Sequence, residues 1–122
     1  MITKQYVSMW CEDLVKSWLQ VDFSSILKIF SEVELYYEDP FSEPGSTTKD
    51  IQGYWNEIKF QKINELKMEP VAIEGDVAII RWYLDYEDTR TGEVFVMDGI
   101  YHVEFNENQM CKKFTQWWVL KE

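Results

Sequence analysis

Hydrophobic positions change period partway along the chain, and the change divides it in two. Near the start, Val7, Trp10, Cys11, Leu14 and Trp18 recur on one helical stripe, and Thr3 is placed to cap the helix that carries them. Asp22 opens a second, short helix as its N-cap, with Val21 and Ile26 in the positions of a hydrophobic staple. That helix presents Ile26, Ile29 and Phe30 before an extended stretch begins at Val33. Alternation there puts Val33, Leu35, Tyr37 and Asp39 on one face of a strand that Pro40 ends. After a turn at Gly45 to Thr48, Thr47 and Asp50 have the spacing of a capping box. Ile51, Tyr54, Trp55 and Ile58 then follow the i, i+3, i+4, i+7 rule of a third helix.

The second half has period two. Strands are predicted from about Glu65 to Ile73, Val77 to Glu87, Glu93 to Phe105 and Met110 to Leu120. Glu74-Gly75-Asp76, Thr91-Gly92 and Asn106 to Gln109 supply the turns. Helices first and an antiparallel meander last predict an α+β domain with the helices on one face of the sheet. One strand parity collects Ala78, Ile80, Trp82 and Leu84, then Phe95, Met97, Gly99, Tyr101, Val103 and Phe105, then Phe114, Gln116, Trp118 and Leu120. This face is almost wholly apolar and is expected under the helices. The other parity mixes Val77, Ile79, Arg81, Tyr83, Val94, Val96, Asp98, Ile100, His102, Lys113, Thr115, Trp117 and Val119. It is too apolar for a solvated face and too polar for a core, which predicts a homodimer through the outer sheet face.

Composition narrows the function. A chain of 122 residues supports a single domain, 1–122, and 46% hydrophobic residues exclude disorder. Twelve basic against 22 acidic residues leave a net charge of −10, which argues against nucleic acid as a partner. No apolar run approaches the ~20 residues of a membrane span, and no charged-then-apolar leader opens the chain, so a cytoplasmic protein with no membrane partner is expected. Cys11 and Cys111 lie far apart, and with one histidine, His102, the soft and nitrogen donors are too few for zinc. Both cysteines read as small buried hydrophobes in a reducing compartment, and neither a metal nor a cofactor is expected. Aromatic residues are 16% of the chain, six of them Trp, enough to wall a cavity as well as fill a core.

The order helix, helix, strand, helix, four-stranded meander resembles the NTF2-like superfamily, and within it the SnoaL-like and ketosteroid-isomerase-like proteins. The resemblance is carried by Asp22 opening a helix that closes at Phe30, by YYEDPFSEPGS from Tyr36 to Ser46, by DIQGYW from Asp50 to Trp55, and by MDGIYHVEFNENQMCKKFTQWW from Met97 to Trp118. It covers nearly the whole chain and implies a cone, three N-terminal helices packed on a strongly curved, mostly antiparallel sheet. That fold serves enzymes, carriers and assembly domains alike. In the steroid isomerases an Asp before Pro is the base, and a Tyr with a protonated Asp forms the oxyanion hole. Carried onto this chain, the base position falls on Asp39. The oxyanion positions fall on Leu14 and Tyr101, and a supporting Tyr on Trp55. Loss of one such donor typically costs on the order of a hundredfold in rate, so standard steroid isomerisation is disfavoured. The epoxide-hydrolase branch needs an inward carboxylate where this chain has Gln116, and is disfavoured too.

Asp39 is therefore read in two ways. Asp before Pro ends a strand, but strand parity turns the carboxylate toward aromatic walls of Tyr37, Phe41 and Trp55 with no cation at matching depth, which suits a general base. Tyr101 is the candidate donor to a developing oxyanion. Tyr37, Trp55, Trp82, Met97, Gly99, Gln116 and Trp118 are the candidate ligand contacts, with core packing as the competing reading for each Trp and a bulge for Gly99. Three functions stay open: binding of a small, apolar, aromatic or polycyclic molecule; an isomerase, cyclase or lyase using Asp39; or a protein-interaction domain with a filled core.

Overall fold

A computed structural model of the chain describes residues 2–122. The three helix starts form where their capping residues stand. Thr3 accepts a hydrogen bond from the Tyr6 N–H at the head of α1 (Lys4–Leu19), and Asp22 accepts one from the Ser25 N–H at the head of α2 (Phe23–Ile29). Thr47 and Asp50 form a complete capping box at the head of α3 (Thr48–Trp55). Val21 departs from expectation. It adopts a positive φ of 51°, uncommon for a β-branched residue, and donates its N–H to the Trp18 carbonyl. It thus closes α1 rather than stapling α2, and it stays exposed.

The strands are β1 (Leu35–Tyr37), β2 (Gln61–Glu74), β3 (Val77–Asp88), β4 (Val94–Phe105) and β5 (Cys111–Leu120), with a 3₁₀ segment, Asn56–Phe60, joining α3 to β2. They form one sheet in the order β1-β5-β4-β3-β2, antiparallel except that β1 runs parallel to β5. β2 starts earlier than its hydrophobic pattern suggests, because register shifts between Ile63 and Glu65 and between Pro70 and Ala72 break the alternation.

The predicted inner parity is buried at Ala78, Ile80, Trp82, Leu84, Tyr101, Val103, Phe105 and Phe114, against a helix layer that presents Val7, Leu14, Trp18, Ile26, Ile51 and Trp55. The expected cover fails at the end of β5, where Trp118 is 46% and Leu120 39% exposed. β1 accompanies β5 only from Lys113 to Thr115, so the last residues of β5 project past the covered part of the face.

β1 also corrects the reading of its faces. Its ladder with β5 pairs Tyr36 with Phe114, and it is Tyr36, 2% exposed, that points into the core. Leu35 is exposed and Tyr37 only half-buried. Val33 is buried, but it donates to the Phe30 carbonyl in the turn leaving α2 and lies outside the strand, so alternation counted from it runs one residue out of step.

Phe114 is the centre of the aromatic core. It stacks on Tyr36 at 4.5 Å between ring centroids, meets Phe30 edge-on at 5.3 Å, and contacts Tyr101 at 4.6 Å. Phe114→Ala is expected to cost about 3–5 kcal/mol, measured as a lower urea midpoint at unchanged m-value.

Candidate functional site

Between α3 and the inner face of β3, β4 and β5 lies a pocket of about 160 Å³. Five of the candidate residues line it together: Trp55 from α3, Trp82 from β3, Met97 and Tyr101 from β4, and Gln116 from β5. Residues that the sequence reading did not single out complete the wall. Tyr36 and Glu38 come from β1 and the residue that follows it, Tyr54 from α3, and Gln61 and Tyr86 from the first part of β2 and the last part of β3. Glu57, exposed, lies at the open side.

Four candidates lie elsewhere. Tyr37 projects from the opposite side of β1 to Tyr36, with the Lys113 ammonium 5.9 Å from its ring centre. Asp39 accepts a hydrogen bond from the Phe41 N–H at 2.8 Å, and its carbonyl accepts one from the Ser42 hydroxyl at 3.0 Å, which closes a turn across Pro40. Phe41, expected as a wall of the pocket, is 97% exposed. Gly99 is packed rather than open. A Cβ there would lie 2.6 Å from the Trp82 ring and 2.3 Å from the Trp117 carbonyl oxygen, so the missing side chain makes room for the Trp82 indole that crosses it. Trp118 shares a surface cleft with Ile100, Trp117 and Val119.

The same one-residue correction that turns Tyr36 inward turns Glu38 inward. Burial raises the Glu38 carboxyl above the ordinary glutamate value, and the neighbouring Asp39 charge adds to the shift. Its field reaches Tyr36, Tyr54 and Tyr101 alike. Burial lifts the Tyr36 and Tyr101 phenols well above their ordinary value, with each further raised by Glu38, so both are neutral O–H groups at physiological pH. The Gln116 amide donates to the Glu38 carbonyl at 3.1 Å and fixes the backbone that carries the carboxylate. No Lys, Arg or His lines the pocket among the described residues.

The indoles complete its chemistry. Trp18 Nε1 donates to Gln61 Oε1 at 2.8 Å. Trp82 Nε1 has no partner, and Trp55 Nε1 is near enough to the Tyr36 phenol to lower its pKa slightly while making no hydrogen bond of ordinary geometry. These are the buried side-chain polar atoms without a partner among the described residues. Each unmade bond costs about 1–3 kcal/mol unless something in the pocket accepts it. The arrangement can thus accept a proton at one carboxylate and donate hydrogen bonds from several neutral groups.

Glu38 gives this electrostatic reading a measurable sign. A carboxyl raised by folding favours the protonated state, so its stabilising contribution is present at low pH and is lost as pH rises through the folded-state value. Glu38→Gln should therefore raise the melting temperature at pH 7 to 8, with the gain disappearing near pH 4. Equal gains at both pH values would place Glu38 in bulk-like solvent.

No family model matches the sequence, and no curated protein matches it. Solved structures do. Rv0760c of Mycobacterium tuberculosis, crystallised in complex with estradiol-17β-hemisuccinate, has 9% identity over 93% of this chain and 96% of that one, with a TM-score of 0.75. SalBIII, an epoxide hydrolase/cyclase-like enzyme of pyran-ring formation in the polyether salinomycin, has 10% identity over 91% of both chains and a TM-score of 0.66. A Mesorhizobium loti protein named as a SnoaL-like polyketide cyclase has 15% identity over 91% of this chain and 97% of that one, with a TM-score of 0.63. The chain has the NTF2-like α+β fold of these proteins.

Proposed function

We propose that this NTF2-like chain binds a small, mostly apolar molecule in the pocket between α3 and the sheet. The observation that supports this most directly is the pocket's composition, a walled aromatic space that contains one desolvated carboxylate, two neutral phenols and unpaired indole donors. The structural neighbour Rv0760c, of the same fold, was crystallised with a steroid half-ester, estradiol-17β-hemisuccinate. The pocket volume of about 160 Å³ is close to that of an engineered cavity of about 150 Å³ known to hold benzene. A single ring fills it, and further rings of a polycyclic ligand would extend past Glu57. A ligand-observed NMR screen of single-ring compounds should give binders whose signals are lost in Met97→Trp, which fills the space from the sheet side. No binder from such a panel would favour the protein-interaction reading.

A second reading, proton transfer, is supported by Glu38 beside Tyr36 and Tyr101. Glu38 takes the place expected of Asp39: it would accept the proton from a carbon next to a carbonyl, while the Tyr101 phenol donates a hydrogen bond to the enolate oxygen that forms. The proton then returns from the Glu38 carboxyl to carbon. The check is deuterium uptake from D₂O into the methyl group of acetophenone. Glu38→Gln should lower the protein-dependent rate by about a hundredfold, while Asp39→Asn leaves it unchanged. The opposite ranking would restore Asp39 as the base.

The outer sheet face supports self-association. Ile100, Trp117 and Val119 are exposed on it, and Arg81 and Asp98 neutralise each other at 2.7 Å, leaving an apolar patch without net charge on a chain of −10. Both cysteines are free and buried, which fits a reducing compartment such as the cytoplasm. Among the described residues no helix is long and apolar enough to cross a membrane. Sedimentation at micromolar concentration should give a dimer mass, and Ile100→Asp should give a folded monomer by burying an unpaired charge at the contact. A monomer at all concentrations overturns this assignment.

A further inference from the structure

The pocket's rings and their polar tips are used differently, and the difference specifies a ligand. Tyr36 is stacked against Phe114 at 4.5 Å and against Tyr54 at 5.0 Å. Trp82 is stacked on Tyr101 at 5.4 Å, and Trp55 on Phe30 at 6.0 Å, with Trp18 edge-on to Trp55 at 5.0 Å. The aromatic stacking surfaces at the deep end are thus largely spent on the protein itself. What remains unspent is the N–H of Trp55 on the helix wall and the N–H of Trp82 on the sheet wall. Their residues are 6% and 2% exposed, and neither N–H has a protein partner among the described residues. Buried N–H groups attract acceptors and repel cations.

Charge narrows the class from the other side. The ionisable carboxylates of the lining are Glu38 and Glu57; Glu57 is already paired with Arg90 at 3.0 Å, whereas Glu38 has no cation beside it within the lining. A carboxylate or phosphate ligand at the inner end would meet the Glu38 charge with no lining cation to neutralise it. A quaternary ammonium could pair with the acids, but it needs open ring faces, and here the faces are stacked.

We infer that the pocket recognises an uncharged single-ring compound bearing a carbonyl-type acceptor oxygen, held between the indole N–H groups of Trp55 and Trp82. The inference rests on the small-molecule reading of this pocket and adds the chemical class of the ligand. It assigns the two tryptophans a binding role distinct from packing, because packing uses their rings and recognition uses their nitrogens.

The test compares acetophenone with isopropylbenzene, which matches its shape but has no acceptor, and with benzoate and phenyltrimethylammonium. Binding is followed by titration and by the indole resonances in ¹H–¹⁵N spectra. Acetophenone should bind at least about tenfold more tightly than isopropylbenzene and should shift the Trp55 and Trp82 indole N–H signals downfield. Trp55→Phe and Trp82→Phe should each narrow the difference between the two compounds while leaving isopropylbenzene affinity nearly unchanged. If a variant fails to fold, the indole shifts of the unaltered protein still decide the matter. Equal affinity for acetophenone and isopropylbenzene, without indole shifts, overturns the acceptor assignment and leaves the pocket reading standing. Preference for benzoate or for phenyltrimethylammonium overturns it in favour of an anion or a cation. Failure of all four compounds to bind overturns both the inference and the small-molecule reading beneath it.

Discussion

The stack of Tyr36 on Phe114 decides the rest of the site. A three-residue parallel strand has few hydrogen bonds with which to choose its register, so side-chain contact has to choose it. The ring pair at 4.5 Å fixes Tyr36 as the inward residue of β1. Because strand faces alternate, it also fixes the side on which Tyr37 and Glu38 lie. Phe30 and Tyr101 close on the same ring from the helix and sheet sides, which joins β1, α2, β4 and β5 in one aromatic lattice. The pocket is the space this lattice leaves below α3. Its polar groups are placed by aromatic packing, with hydrogen bonds such as Gln116 to the Glu38 carbonyl trimming the result.

Where a local signal dictated structure, the sequence was legible. Thr3, Asp22 and the Thr47–Asp50 box start their helices as their side-chain chemistry requires, and Gly75 and Gly92 take positive φ at the hairpin turns. The alternation of β3, β4 and most of β5 gave both faces correctly, which is why Trp82, Met97, Tyr101 and Gln116 meet with Trp55 in one pocket. β1 was misread because alternation was counted from Val33, a residue buried by a turn rather than by a strand. The error displaced the inward carboxylate from Glu38 to Asp39, and Tyr36 to Tyr37. A signal was available. YYE places one aromatic and one carboxylate on opposite sides of Tyr37, and pairing either tyrosine against Phe114 distinguishes the two registers. Gly99 was misjudged for a different reason: a missing side chain shows that space is needed, but not which neighbour takes it. Here Trp82 does.

The electrostatics of the pocket follow from composition as much as from position. A chain with 22 acidic residues against 12 basic ones has few cations to place, and those in the sheet are used on its outer side, as Arg81 is by Asp98. Glu38 thus remains among tyrosines without a counter-charge. Burial keeps the Tyr36 and Tyr101 phenols protonated, with Glu38 adding to the effect, and burial also raises the Glu38 carboxyl above the ordinary glutamate value. Donor and acceptor roles are thereby assigned at physiological pH: phenols and indoles donate, and the carboxylate accepts.

Unmet polar chemistry at one place also separates a site from a core. Elsewhere in the interior the fold satisfies its polar groups. Ser17 donates to the Asp13 carbonyl within α1, and even in the pocket wall Trp18 donates to Gln61. The two tryptophans whose buried indole nitrogens are left unpartnered line the same pocket as the desolvated Glu38. A core built for stability alone would use phenylalanine at both tryptophan positions and an uncharged residue at position 38, since the ring contacts of Trp55 and Trp82 do not involve their nitrogens. Three separate polar costs converge on a single space: two of them, the unmade indole bonds, are of the kind a hydrogen-bond acceptor would relieve, and the third is the buried carboxylate. That convergence favours a working pocket over a filled interior, because packing has no use for donors it cannot pair.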